Sequence, residues 1–201
     1  MAANLGNATT LVVVIYYFFG GFMKGIINLC VVSLVKEKFG DEALKKVLKE
    51  AGLPENFEVI ELEDYPDEVS VKFINAAAKV LNLKPEDIMI AFGDYWINDF
   101  APKKYRIIYK KYNNAKDFLK GMSDTHMWVM SSIEGAKPPK FEFEEPNTNV
   151  LIMHYFSNRK LEKILEGLIL GVIKYFNVKA EVKRIESSKN NAQCAFEIKF
   201  F

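Results

Sequence analysis

The sequence predicts an α+β fold, in which an amino-terminal helical lobe packs on a mixed lobe carrying a four-stranded antiparallel sheet. Two observations predict it. Apolar residues recur at three- and four-residue spacing through residues 24–133, and after the turn at 135–140 the period drops to two. The chain has 201 residues, half of them hydrophobic, with no internal repeat or low-complexity linker, so it suits one domain with room in its core for a cofactor.

Taken in order, residues 24–39 place Ile27, Cys30, Val31 and Leu34 on one helical face, and Gly40 ends that helix. Asp41 is placed to cap the next helix, which runs through Leu44, Val47 and Leu48 to Gly52. Residues 58–67 are acidic and read as irregular. Helices follow at about 69–81 and at 85–100, the second with Pro85 in its first turn, where a missing N–H is harmless. Residues 105–111 and 115–133 complete the helical part, with Phe118, Met122, Val129, Met130 and Ile133 on the same side as His126. Residues 140–145, 150–157, 178–186 and 192–200 read as strands, and 161–176 as an apolar helix between them.

Composition excludes several functions. Twenty-seven basic and 26 acidic residues are scattered to a net charge of +1, which leaves no electrostatic footprint for nucleic acid. Cys30 and Cys194 lie far apart without CxxC spacing, so zinc, iron–sulfur and covalent c-type haem sites are not indicated, and a reduced, cytoplasmic setting fits best. Residues 1–22 are an apolar extension, too short to span a bilayer and without the basic start of a signal peptide. A membrane anchor continuing into 26–35 is the rival reading, opposed by Lys24, Asn28, Ser33 and Lys36.

The polar stretch Tyr155-Phe156-Ser157-Asn158-Arg159 follows the apolar run 150–154. On a strand, Tyr155, Ser157 and Arg159 point to one face, where a phenol, a hydroxyl and a forked guanidinium suit carboxylates or phosphates. The plain alternative is an edge strand with polar residues in water. For His126, an imidazole on an oily helix face, it is a satisfied core histidine.

His126, then Ala136-Lys137-Pro138-Pro139, then Tyr-x-Ser-x-Arg, with the start Met23-Lys24-Gly25-Ile26-Ile27-Asn28, together resemble the H-NOX family, haem-based sensors of nitric oxide and oxygen related to the β subunit of soluble guanylate cyclase. The resemblance runs from Met23 to Phe201 and implies an H-NOX fold, with a helical lobe at about 23–84 and a haem-ligating lobe at about 85–201. It implies His126 as the proximal ligand of a noncovalent haem b, Tyr155, Ser157 and Arg159 as binders of the propionates, and Pro139 as a residue pressing on the porphyrin. Ile27, Val31, Trp96, Phe100, Ile164 and Leu168 match the distal side. Oxygen-binding members carry a tyrosine nine residues after the first tyrosine of the strand motif, and here that position is Ile164.

The resemblance therefore implies a sensor of NO and CO that is not itself an enzyme, signalling by release of the proximal histidine and lobe movement. Its implied partners are a histidine kinase, a diguanylate cyclase or a chemotaxis-type receptor. Three alternatives stand beside it: an oxygen sensor, a haem enzyme of peroxidase type, and a haem-free module binding a small anion. The peroxidase reading needs a distal acid–base pair, which the matched positions lack.

Overall fold

The computed structural model describes residues 21–201, and nearly all of the apolar extension lies outside them. Strand β1 (Phe22–Lys24) pairs antiparallel with β2 (Asp64–Pro66), Met23 opposite Tyr65. This ribbon corrects the irregular reading of 58–67, since three residues are too few to show alternation and Asp and Pro are poor strand formers. It also makes Phe22, counted above with the extension, the first strand residue.

Helix α1 (Gly25–Phe39) buries Asn28, Cys30, Val31, Leu34 and Val35, and stops at Gly40, whose φ of 86° suits a residue without Cβ. Its buried face lies in a protein core, which displaces the membrane-anchor reading of residues 26–35. Among the described residues no helix is long and apolar enough to cross a membrane. In α2 (Asp41–Glu50), Asp41 makes no side-chain cap and instead sits in the first turn, 3.1 Å from Lys36. Helix α3 (Asp67–Leu81) begins earlier than the apolar pattern indicates, because Asp67 and Glu68 favour the positive end of the helix dipole.

Helix α4 (Pro85–Tyr95) runs into a five-residue π-helical turn, Trp96–Phe100, and then into α5 (Ala101–Lys104). The expected single helix over 85–100 therefore widens in its last turn. There the Asn98 side chain donates to the Asp94 carbonyl at 3.1 Å, competing with the regular backbone ladder, and also to the Gly171 carbonyl at 3.2 Å. After α6 (Arg106–Lys110), the expected helix over 115–133 is two: α7 (Ala115–Lys120), capped by Asn114, and α8 (Met122–Ser132). The break falls at Gly121, where any Cβ would collide with the Tyr112 phenol.

Strands β3 (Lys140–Asn147), β4 (Val150–Phe156), β5 (Ala180–Ile185) and β6 (Cys194–Phe200) form the expected antiparallel sheet in the order β3-β4-β6-β5. Leu151, Met153 and Tyr155 alternate onto the helix-facing side with Phe196 and Ile198, against α9 (Glu162–Tyr175). Strand β4 is interior, so the edge-strand reading of the Tyr155 stretch does not hold.

Two cores result, one built by α1–α4 and Phe100, the other by α7, the sheet and α9, with Trp96 packed against both. They are joined where α4 meets α9. A Cβ on Gly93 would strike the backbone of Gly167 and Leu168, and one on Gly167 the backbone of Ile90. Gly93→Ala forces these backbones apart and is expected to destabilise the domain by about 1–3 kcal/mol. A urea midpoint that falls at constant slope checks this, and an unchanged midpoint refutes the tight-contact account.

Candidate functional site

Of the residues singled out above, the apolar ones divide between the two cores, with Trp96 packed against both. On the helical side Val31 and Phe100 are buried, with Ile27, Trp96 and Ile164 packed against them. Leu168 packs against the other core, one turn along α9 from Ile164. Trp96 stacks on Phe92, 5.8 Å away centroid to centroid, and lies tilted against Phe100, 5.4 Å away.

On the opposite side α8 carries His126, half-buried. Its Nδ1 lies 3.0 Å from the Pro139 carbonyl oxygen, which can only accept, so Nδ1 bears the proton. No hydrogen bond reaches Nε2 from any described residue, and that atom keeps its lone pair. Burial lowers the imidazole pKa, opposed by the bond to Pro139, so the ring is neutral near pH 7. The ring lies 5.2 Å from Phe141 at 33°, and Phe141 lies 6.0 Å from Tyr155 at 26°. The Ser123 hydroxyl donates to the Phe141 carbonyl at 3.2 Å, pinning the start of α8 to β3.

Tyr155 is buried, which raises its phenol pKa, and a hydrogen bond with Ser157 works against that rise. Strand β4 ends at Phe156, so Ser157 and Arg159 are not brought round by strand alternation. A turn does it, with the Arg159 amide donating to Ser157 Oγ at 3.2 Å and Lys160 at a φ of 54°. The Arg159 guanidinium then donates from Nε to Asp67 Oδ2 at 3.0 Å, from Nη1 to the Lys137 carbonyl at 2.6 Å, and from Nη2 to the Phe22 carbonyl at 2.8 Å. Asp67 Oδ1 is buried without a partner among the described residues, and burial raises the Asp67 pKa despite the neighbouring cation.

The remaining candidates stand elsewhere. His154 is buried on the far side of β4, with Nδ1 2.8 Å from Ser187 Oγ and Nε2 3.4 Å from Glu144. Asp124 is exposed and lines a surface depression of 480 Å³ with Tyr112 and Phe143, apart from the Trp96 group. Asp67, Phe141 and the carbonyls of Phe22 and Lys137 join the site without having been singled out in the sequence. Alternation in Lys140-Phe141-Glu142-Phe143 carried a signal for Phe141, whereas a backbone carbonyl has none.

The Haem-NO-binding family profile matches residues 24–184. The chain belongs to the H-NOX family. Relatives include soluble guanylate cyclase gcy-37 of Caenorhabditis elegans, 28% identical over 151 residues, which are 73% of this chain and 21% of that protein. Soluble guanylate cyclase gcy-35 of the same organism is 21% identical over 178 residues, 87% of this chain and 26% of that one. This chain thus spans about a quarter or less of these cyclases.

Among solved structures, an H-NOX protein of T. tengcongensis superposes with a TM-score of 0.78 at 23% identity, covering 89% of this chain and 97% of that one. An oxygen-binding H-NOX domain related to soluble guanylate cyclases gives a TM-score of 0.77 at 23% identity, over 89% and 95%. These likenesses establish the H-NOX fold.

H-NOX domains bind haem as gas sensors, and the donor set here fits that group: a neutral imidazole whose Nε2 no described residue engages, apolar residues from both cores, and an arginine that ties distant segments together. The depressed His126 pKa also fixes a sign. A pKa lowered on folding contributes stability above the ordinary value of 6.5, lost as pH falls from there toward the folded value. Haem-free wild-type protein is therefore expected to lose more stability than His126→Gln when both are taken from pH 7.5 to about 5.5. Urea melts at the two pH values check it, and equal losses contradict the burial assigned to the ring.

Proposed function

We propose that this domain holds haem b noncovalently, with His126 Nε2 as the iron ligand, and reports nitric oxide and carbon monoxide to a partner protein. The observation that carries the proposal is the Nδ1–H bond to the Pro139 carbonyl. It selects the tautomer that leaves Nε2 as a donor, and burial keeps that donor unprotonated. Tyr155, Ser157 and Arg159 bind the propionates in this reading. Their bonds to charged groups contribute about 1.5–3 kcal/mol each, which offsets removing carboxylates from bulk water. Pro139 would press on the porphyrin, while Ile27, Val31, Trp96, Phe100, Ile164 and Leu168 would supply the apolar surroundings of the gas-binding position.

When bound, the ferrous iron supplies the gas-binding position, and the protein's residues decide what stays there. Oxygen carries negative charge on binding and needs a hydrogen-bond donor, worth about 1.5–3 kcal/mol. Ile164 has no donor, and the Trp96 indole is held in an aromatic stack. This favours NO and CO over oxygen.

Signalling follows from release of His126. With His126 released from such an iron, the α8 segment would be free to shift against Pro139, and Arg159, which joins Phe22 and Asp67 to Lys137, would carry the shift between the lobes. A histidine kinase, a diguanylate cyclase, a cyclase or a chemotaxis-type receptor in a cytoplasmic setting would read it. The domain itself then catalyses nothing.

Absorption spectra test the reading. Ferrous protein is expected to shift its Soret band with NO and with CO and to keep no oxygen in air, whereas Ile164→Tyr should retain oxygen. An air-stable oxygen form in the wild type would overturn the selectivity. His126→Gly is expected to lose haem unless imidazole is added, while His154→Gly keeps it. Full haem content with an unchanged spectrum in His126→Gly would remove the ligand assignment.

A further inference from the structure

We infer that the Pro139 carbonyl is a positioning group that sets the strength of the bond His126 makes to iron, so that one residue bears on the cofactor twice. The inference rests on the haem reading above. Through its ring, Pro139 touches the porphyrin face in that reading. Through its carbonyl it holds the ligand, 3.0 Å from Nδ1.

A hydrogen bond accepted from the far nitrogen of a ligating imidazole pushes electron density toward the metal-binding nitrogen and fixes the ring plane. A neutral amide carbonyl does this less than a carboxylate does. The acidic side chains near the start of α8 do not take that role: Asp124 is exposed, and the nitrogen that would receive them is already bonded. The ring cannot turn away easily, because Phe141, two residues beyond Pro139, lies against it at 5.2 Å. Pro139 and Phe141 thus fix the imidazole about two axes from one short segment, the residues leading into β3.

The acceptor is backbone, so residue 139 cannot be changed to remove it. Replacing the Lys140 amide by an ester, through an α-hydroxy analogue of lysine, makes the Pro139 carbonyl a weaker acceptor without touching any side chain. The iron–histidine stretch in the resonance Raman spectrum of the reduced, haem-loaded protein is expected to fall in frequency. Haem affinity should weaken by about tenfold, the lower end for loss of an outer partner of a metal ligand. NO should then displace His126 more completely than in the wild type. The same ester at Glu144, which also lies in β3 but leaves the carbonyls of Pro139 and Phe141 intact, should alter none of these.

A stretch equal to wild type in the Lys140 ester, or one that falls equally in the Glu144 ester, overturns the role given to Pro139. Nitrogen-15 spectra of the wild type labelled at histidine, recorded without haem, provide a second arm that needs no variant to fold. They should show His126 protonated on Nδ1, and protonation on Nε2 overturns the inference. A wild-type chain that takes up no haem at all refutes instead the functional reading on which this one is built.

Discussion

The fold depends on how closely α4 approaches α9. Gly93 and Gly167 let the two backbones touch, and Gly171 continues the contact beside Asp94 and Ile97. Side chains there would push the helical core away from the sheet-backed core. Asn98 and Lys174 reinforce the same junction: Asn98 reaches the Gly171 carbonyl, and Lys174 pairs with Asp94 at 2.9 Å. The lysine pair is exposed enough to add little. The weight therefore falls on backbone packing, which also sets how Trp96, Ile164 and Leu168 lie between the two cores.

Electrostatics at that boundary is divided by position. Near the imidazole the surroundings are aromatic and neutral, and burial moves His126 away from its charged form. At the rim the charges are gathered on Arg159, Asp67, Lys24 and Asp64, the last two 2.9 Å apart. A flat apolar group with two carboxylates at one edge is matched by such a division.

Much of this was legible in the sequence, and the failures have identifiable causes. The change of hydrophobic period marked where the sheet begins, because a helix and a one-sided sheet impose different spacings on buried residues. The sheet strands were found within a few residues. The β1–β2 ribbon was not, being held by backbone pairing over three residues whose side chains carry little pattern. The break at Gly121 was invisible because its cause, the Tyr112 phenol, reaches back from a separate turn. At the site the side chains with distinctive chemistry, His126, Tyr155 and Arg159, were legible. Their partners were partly carbonyls of Phe22, Lys137 and Pro139, and any residue can supply a carbonyl. Asp67 was hidden in an acidic stretch where one carboxylate looks like the next.

The partners of Arg159 also bear on how the protein is made. Its guanidinium closes contacts across 92 residues to Asp67 and 137 residues to Phe22. Such distant segments meet late, since the entropy of closing a long loop must be met before the contact contributes. During synthesis α1 and α3 can pack while β4 is still inside the ribosome, so the helical core exists before its rim has an arginine. In the proposed reading, cofactor capture by Arg159 is then an event of the finished chain. A ligand that binds only the closed arrangement would draw nascent, half-assembled molecules toward the native state by mass action, serving as a final folding step as well as a sensor's active group.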